Sequence, residues 1–365
     1  MRVLLAVVLV ASLAGCGDDT PAGVAFERVD LPAGVPSALG TSGETLLVGV
    51  ALDDGPGLFG ITAGAAATQV PLTSSTPYGA VAKWASVSGD GSAVVAVGGE
   101  RGGAHGNVRW SVWTGSTSGL TERKQGFSTF GGYGAGDLVE GVATPGGPVV
   151  VGAWESGDTA LDVAVWTIDA EHTATRRSSA GTALESSREE IGFPMSAAAH
   201  GGGVVIAGWQ IAAGKQVPVV WRSASGVTDW TKTPLPDAGS NATADAIACD
   251  DEFCAITGRV DGSVAAWRFD GERWTRLTGL PPTPIGDREE VASPALLDGG
   301  VAVGLASGPK VAVWRAGAWT AHAVSGPTGR PFALATHAGA LYLAGGEDEP
   351  RAALWRAPLD RLTAP

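Results

Sequence analysis

The segment Val301-Ala302-Val303-Gly304 is the clearest copy of a short phrase, mostly apolar and closed by glycine, that recurs along the chain. Seven copies occur, and their glycines stand 41–56 residues apart. The glycines are Gly49, Gly98, Gly152, Gly208, Gly258, Gly304 and Gly345. A period of this length is typical of an array built from one supersecondary unit. The chain is therefore predicted to contain seven copies of one unit.

Each copy continues into a second apolar run that ends in a single aromatic residue. These aromatics are Phe59, Trp113, Trp166, Trp221, Trp267, Trp314 and Trp355. A further apolar run and a tight turn, such as Ser88-Gly89-Asp90-Gly91, precede each glycine phrase, and a short run such as Trp274-Thr275-Arg276 follows the aromatic. Four short strands per unit, with no helical period, predict an all-β fold. Repeated four-stranded units of this length are the signature of a single β-propeller with seven four-stranded antiparallel blades.

The strands of a blade are called A to D in chain order. We expect the aromatic at the end of strand C to fill the gap between neighbouring blades. On that basis Trp314→Ala should destabilise the fold by about 3–5 kcal/mol. Two segments compete to complete the last blade, Phe26–Leu31 near the N-terminus and Asp360–Thr363 near the C-terminus. The sequence does not decide between them.

The N-terminus carries the features of an export signal. Met1-Arg2 is followed by an apolar run from Val3 to Val10, which is too short to span a bilayer. Leu13-Ala14-Gly15-Cys16 resembles the lipobox of bacterial lipoproteins. The resemblance implies cleavage after Gly15 and acylation of Cys16, with palmitate-type chains as the membrane anchor. The predicted organisation is a signal peptide over 1–15, lipidated Cys16 and a flexible tether over 16–23, and the propeller over 24–365.

The charge balance excludes some partners. The chain has 37 Asp and Glu residues against 24 Lys and Arg residues, a net charge of −13. No basic stripe is present to replace the counterions of a nucleic acid, so nucleic acid is not an expected partner. Attraction to anionic lipid is disfavoured as well, so membrane attachment should depend on the acyl chains. We expect a monomer held at the cell membrane or outer membrane, in the periplasm or at the cell surface.

Cys249 and Cys254 flank the acidic stretch Asp250-Asp251-Glu252-Phe253 between two apolar runs. This pattern predicts a hairpin with the cysteines facing each other, and outside the cytoplasm such a pair should form a disulfide. A metal site is the alternative, but no histidine or third cysteine lies close in sequence. A structural disulfide is the favoured interpretation.

Two propeller families share some of these features. Val97-Gly98-Gly99 and Ala344-Gly345-Gly346, each followed by Val-Trp or Leu-Trp, resemble kelch repeats. The segment Trp221–Thr231 resembles the Asp-box of sialidase propellers, although Ser225 or Ala224 stands where the box has aspartate. Both resemblances imply the fold and leave the function open.

The connections between strands differ on the two faces of the predicted ring. The D-to-A and B-to-C connections share one face, called here the loop face, and the shorter A-to-B and C-to-D connections share the other, called the turn face. Long and varied loops favour the loop face as the binding surface. Its candidate residues are Tyr78, Lys83, Trp84, Tyr133, Asp137, Glu140, Arg188, Asp245, Arg288 and Arg330.

Two similar acidic runs, Arg188-Glu189-Glu190-Ile191 and Arg288-Glu289-Glu290-Val291, precede strand A of two blades. Convergence of Glu189, Glu190, Glu289 and Glu290 could divide the acid and base roles of glycoside hydrolysis or hold a calcium ion. The simpler interpretation is a solvated rim with local ion pairs. No other cofactor is indicated.

Three hypotheses follow for the function. The leading one is a lipid-anchored, non-catalytic module that binds an envelope protein, peptide or glycan through the loop face. The alternatives are a sialidase-like or lyase-like carbohydrate enzyme that uses the four glutamates, and a structural subunit of an envelope complex, which would present a large apolar patch.

Overall fold

The computed structural model describes residues 23–102, 106–126, 128–131, 136–157, 159–286, 289–305, 310–347 and 351–363. Lipidation of Cys16 and the positions of Tyr133 and Arg288 lie outside these residues. Within the described part of the chain, no helix is long and apolar enough to cross a membrane.

Seven sheets follow one another along the chain, and together they form the predicted seven-bladed β-propeller. The N-terminal strands are β1 (Val24–Ala25) and β2 (Glu27–Arg28). Blade 1 contains β3 (Val35–Ser42), β4 (Thr45–Leu52), β5 (Gly55–Thr62) and β6 (Thr68–Gln69). Blade 2 contains β7 (Leu72–Thr73), β8 (Lys83–Gly89), β9 (Val94–Arg101), β10 (Val108–Ser116) and β11 (Gly119–Glu122), with helix α1 (Pro77–Ala80) before β8. Blade 3 contains β12 (Gly136–Val142), β13 (Val149–Ser156), β14 (Ala160–Ile168) and β15 (Ala174–Arg176).

The second half of the ring repeats the pattern. Blade 4 contains β16 (Glu190–His200), β17 (Gly203–Ala212), β18 (Lys215–Ser223) and β19 (Thr231–Pro234). Blade 5 contains β20 (Ala242–Cys249), β21 (Cys254–Val260), β22 (Ser263–Phe269) and β23 (Trp274–Arg276). Blade 6 contains β24 (Ala295–Leu297), β25 (Gly300–Leu305), β26 (Lys310–Arg315) and β27 (Ala318–Ser325). Blade 7 contains β28 (Arg330–His337), β29 (Ala340–Gly346) and β30 (Ala353–Pro358), and helix α2 (Asp360–Thr363) follows.

The N-terminal segment closes the ring. Strand β1 pairs in parallel with β27 of blade 6, and β2 pairs antiparallel with β30 as the outermost strand of blade 7. Phe26, between the two strands, is buried, and its amide donates to the carbonyl of Ser325 at 2.8 Å. The competing segment Asp360–Thr363 is a single helical turn instead. The two ends of the chain are therefore joined in blade 7.

The core lies in the gaps between blades, as the pattern of aromatic residues at the end of strand C predicted. Trp221 of blade 4 packs in one buried cluster with Val149 and Val151 of blade 3, and Trp267 of blade 5 packs with Val205 and Val220 of blade 4. Trp314 is only partly buried, because it stands at the edge of its cluster. The largest loss on truncation is therefore expected at the fully buried tryptophans and not at Trp314.

A repeated hydrogen bond fixes three of these tryptophans. The indole N–H of Trp166 donates to Thr129, that of Trp221 to Ala183 and that of Trp267 to Pro236, at 2.8, 3.0 and 2.8 Å. Each acceptor is a backbone carbonyl in the connection that enters the tryptophan's own blade. The aromatic residue thus fills the gap and also holds the loop that leads into its blade.

The recurring glycine has a steric cause. In six blades strand A carries a bulge, and in most of them it lies opposite the glycine, as between Leu138 and Glu140 opposite Gly152. A Cβ built on Gly152 would collide with the carbonyl of Asp137, and one on Gly208 with the carbonyl of Phe193. Glycine therefore lets the bulged strand A approach strand B closely.

Candidate functional site

The centre of the ring holds a cavity of about 570 Å³. Strand A of every blade contributes to its wall, and the lining residues of the six bulged strands all follow the bulge. The cavity therefore occupies the half of the ring nearer the turn face. Glu140, Asp250, Glu252 and Asp298 are its acidic lining residues, and no lysine, arginine or histidine lines it among the described residues.

Of these four acidic lining residues, Glu140 is the one that lies within an inner strand, β12. The bulge turns its side chain into the wall, where the hydroxyl of Ser196 on blade 4 donates to Oε2 at 3.3 Å. Glu140 is partly buried, and it lines the cavity. Burial raises the pKa of Glu140 to about 7, although hydrogen bonds from Ser86, Ser196 and the Ala197 amide act in the opposite direction. The sequence pattern predicts Glu140 on the loop face, but the structure places it inside the cavity.

Hydroxyl groups link neighbouring inner strands around Glu140. The hydroxyl of Ser88 donates to the carbonyl of Gly141 at 2.5 Å, and the Gly141 amide donates to Ser86 at 3.0 Å. The Ile247 amide donates to the hydroxyl of Ser196 at 3.4 Å. These bonds join blades 2, 3, 4 and 5 directly at the cavity wall. The polar lining thus has a structural role before any ligand is considered.

The acidic runs of the sequence occupy separate ion pairs. Glu190 lies 2.6 Å from Nζ of Lys232 on the outer strand of blade 4. Glu289 pairs with Arg330 of blade 7 and accepts the Gly286 amide, and these bonds lower the pKa of Glu289. The flanking residues Arg188, Glu189 and Glu290 are exposed. Glu190 and Glu289 therefore pair with two different basic side chains.

A second ion pair lies close to Glu289. Asp245, the bulge residue of strand β20, accepts from Nε of Arg259 at 3.1 Å. The same arginine donates to the carbonyl of Gly286 at 3.0 Å, which brings its charge near Glu289. Asp245 and Glu289 are therefore each paired with an arginine.

Exposed apolar side chains are found on the loop face. Tyr78, Val81, Met195 and Ile211 are the exposed large hydrophobic residues of the described chain. Tyr78 and Val81 belong to the connection into blade 2, Met195 is the bulge residue of β16, and Ile211 precedes the B-to-C turn of blade 4. Beside the last two, Phe193 and Trp209 stack with ring centroids 4.2 Å apart.

Trp84 does not belong to this surface. Its position in the sequence predicts exposure on the loop face, but its side chain is buried between blades 1 and 2, where its indole N–H donates to the Gly57 carbonyl at 2.7 Å. It also meets Trp113 edge-on at 5.6 Å. Met195 and Ile211 were not singled out by the sequence, because exposure of a strand residue depends on the bulge and on blade length.

The predicted disulfide between Cys249 and Cys254 is present, with Cα atoms 4.1 Å apart. The two residues are directly paired at the end of the β20–β21 hairpin, as the spacing predicted. This hairpin end lies on the turn face at the mouth of the cavity.

Two solved structures that share this architecture are extracellular domains from B. thetaiotaomicron. The chain matches the extracellular domain of the putative hybrid two-component system BT4673 from B. thetaiotaomicron with a TM-score of 0.51 and 11% identity. A second structure, described as the extracellular domain of a putative one-component system BT4673, gives a TM-score of 0.51 and 10% identity. The match covers 92% and 91% of this chain but only 40% and 39% of those chains. At this identity the likeness shows the fold alone.

Neither a protein-family model nor a curated protein matches the chain.

Proposed function

We propose that this chain is an exported, lipid-anchored propeller that acts as a non-catalytic binding module at the cell envelope. Its partner is a protein, peptide or glycan that contacts the loop face. The observation that supports this proposal is the location of Tyr78, Val81, Met195 and Ile211, all exposed and all on that face. Apolar side chains exposed on the face that carries the variable loops are candidates for contact with a partner.

The setting is supported by two independent features. The N-terminal sequence has the order of an export signal, and Cys16 stands where lipidation is expected. The similar structures are extracellular domains, which agrees with an exported protein. A seven-bladed ring suits recognition, because rigid sheets hold variable loops in fixed positions.

The state of the glutamates in the two acidic runs argues against the glycoside hydrolase that would use them. A general acid needs a raised pKa, whereas the pKa of Glu289 is lowered by Arg330. Glu190 is paired with Lys232 at the outer edge of its blade. A glutamate that is held ionised by a basic side chain is a poor proton donor, so these ion pairs do not suit proton transfer.

Site-specific photocrosslinking in cells tests the proposal. A photoreactive phenylalanine analogue is introduced at Met195 or Ile211 in the full chain, and matched controls carry it at the exposed turn-face residues Ala63 and Ala170. We expect one discrete adduct from the loop-face positions and none from the controls. An adduct that disappears after glycosidase treatment identifies a glycan partner. Equal labelling at all four positions, or none at Met195 and Ile211, would refute a loop-face partner.

A further inference from the structure

A histidine from the neighbouring blade lies against the disulfide. His200 ends strand β16 of blade 4, while Cys249 and Cys254 belong to the hairpin of blade 5. One ring nitrogen and the two sulfurs all lie within 4.8 Å of one another. The sequence pattern did not indicate this contact, because His200 precedes Cys249 by almost a whole repeat.

The imidazole is held in a defined state. Its Nδ1 lies 2.8 Å from the backbone carbonyl of Asp250. A carbonyl can only accept, so in the neutral imidazole Nδ1 carries the proton and Nε2 carries the lone pair available to a metal. A histidine whose second nitrogen donates to a backbone carbonyl is the arrangement that orients an imidazole for metal binding.

The hairpin does not depend on the disulfide for its shape. The Asp250 amide donates to the Phe253 carbonyl at 3.0 Å, and Oδ1 of Asp250 accepts the amides of Glu252 and Phe253, each at 2.8 Å. Seven residue pairs of β20 and β21 continue the ladder. After reduction, the two thiols should therefore stay side by side next to His200.

We propose that reduction of this disulfide creates a copper(I) site formed by the sulfurs of Cys249 and Cys254 and the imidazole of His200. A dithiol reductant supplies two electrons and two protons, the S–S bond breaks, and the reductant becomes a cyclic disulfide. Copper then replaces the thiol protons, which pass to solvent. Thiolates are soft ligands that suit copper(I), and imidazole also binds copper. A set of three donors fits copper(I) better than zinc, which takes four. The disulfide form has no thiolate, so copper(I) cannot bind to it at this site.

The test is a copper competition assay on the full chain in detergent. Protein is reduced with a phosphine, freed of reductant without oxygen, and mixed with copper(I) held by a coloured chelator. We expect the reduced chain to withdraw a single copper ion from the chelator and to gain thiolate-to-copper absorption, while the oxidised chain withdraws none. His200→Gln should weaken the affinity by roughly 10- to 100-fold or more. His322→Gln, on the outer strand of blade 6, is the matched control and should bind like the parent.

Three outcomes would overturn the proposal. These are equal copper uptake by the oxidised and reduced chains, unchanged affinity in His200→Gln, and preferential uptake of zinc by the reduced chain. Tryptophan fluorescence before and after reduction verifies that the ring stays folded, and Cys249→Ser with Cys254→Ser must abolish uptake. The site lies on the turn face, so its failure leaves the proposed loop-face partner unaffected.

Discussion

Replacing Glu140 by glutamine should make the protein more stable at alkaline pH and leave it unchanged at acidic pH. The pKa of this carboxyl is raised from 4.5 to about 7 in the folded protein. Between those values the folded state keeps a proton that the unfolded chain has lost, so the stability from this group is present below pH 4.5 and is lost as the pH rises through 7. At about 1.4 kcal/mol per pH unit, the full difference is at most about 3 kcal/mol. Water in the cavity reduces this value, because Glu140 is partly exposed to it.

Urea denaturation followed by tryptophan fluorescence measures the effect at pH 4 and pH 8. Glutamine stays neutral and its side-chain oxygen can still accept from Ser196, so Glu140→Gln should match the parent at pH 4 and exceed it at pH 8. Glu190→Gln is the matched control: it removes a carboxylate that is 2.6 Å from Lys232, so it should bring no gain at pH 8. An equal difference between Glu140→Gln and the parent at both pH values would refute the assigned burial of a neutral carboxyl.

Three further predictions concern the fold and the anchor. Trp267→Ala should lower the free energy of unfolding by about 3–5 kcal/mol in urea, and Trp314→Ala by clearly less, because Trp267 is fully buried and Trp314 is not; equal losses would contradict the assigned packing. Gly152→Ala should cost about 1–3 kcal/mol, since its Cβ would meet the Asp137 carbonyl, while Gly157→Ala has open space and should melt like the parent. Cys16→Ser should move the protein from the membrane fraction to the soluble fraction and abolish incorporation of labelled palmitate; continued labelling would show that another residue carries the lipid.

The blades could be predicted from the sequence because each is built from local hairpins. The glycine phrase reflects the close approach of strand A, which recurs in most units, and the strand-C aromatic reflects the gap between blades. The disulfide could also be predicted from the sequence, because Cys249 and Cys254 are close in sequence and their hairpin fixes their pairing.

Features that depend on neighbouring blades could not be predicted. Ring closure depends on two two-residue strands, which are too short to leave a pattern. The bulge before Glu140 turns its side chain into the cavity, so a residue expected on the loop face contributes to the inner wall. His200 reaches the disulfide only because blades 4 and 5 lie side by side.

The N-terminal strands also determine how a pull on the membrane anchor would reach the ring. With Cys16 lipidated as proposed, the seven residues 17–23 allow a reach of at most ~25 Å before β1 begins. Tension from the bilayer would therefore load β1 and β2 first, and these are the strands that join blades 6 and 7. A strong pull would detach β1 from blade 6 and then β2 from blade 7 before it disturbed any other blade.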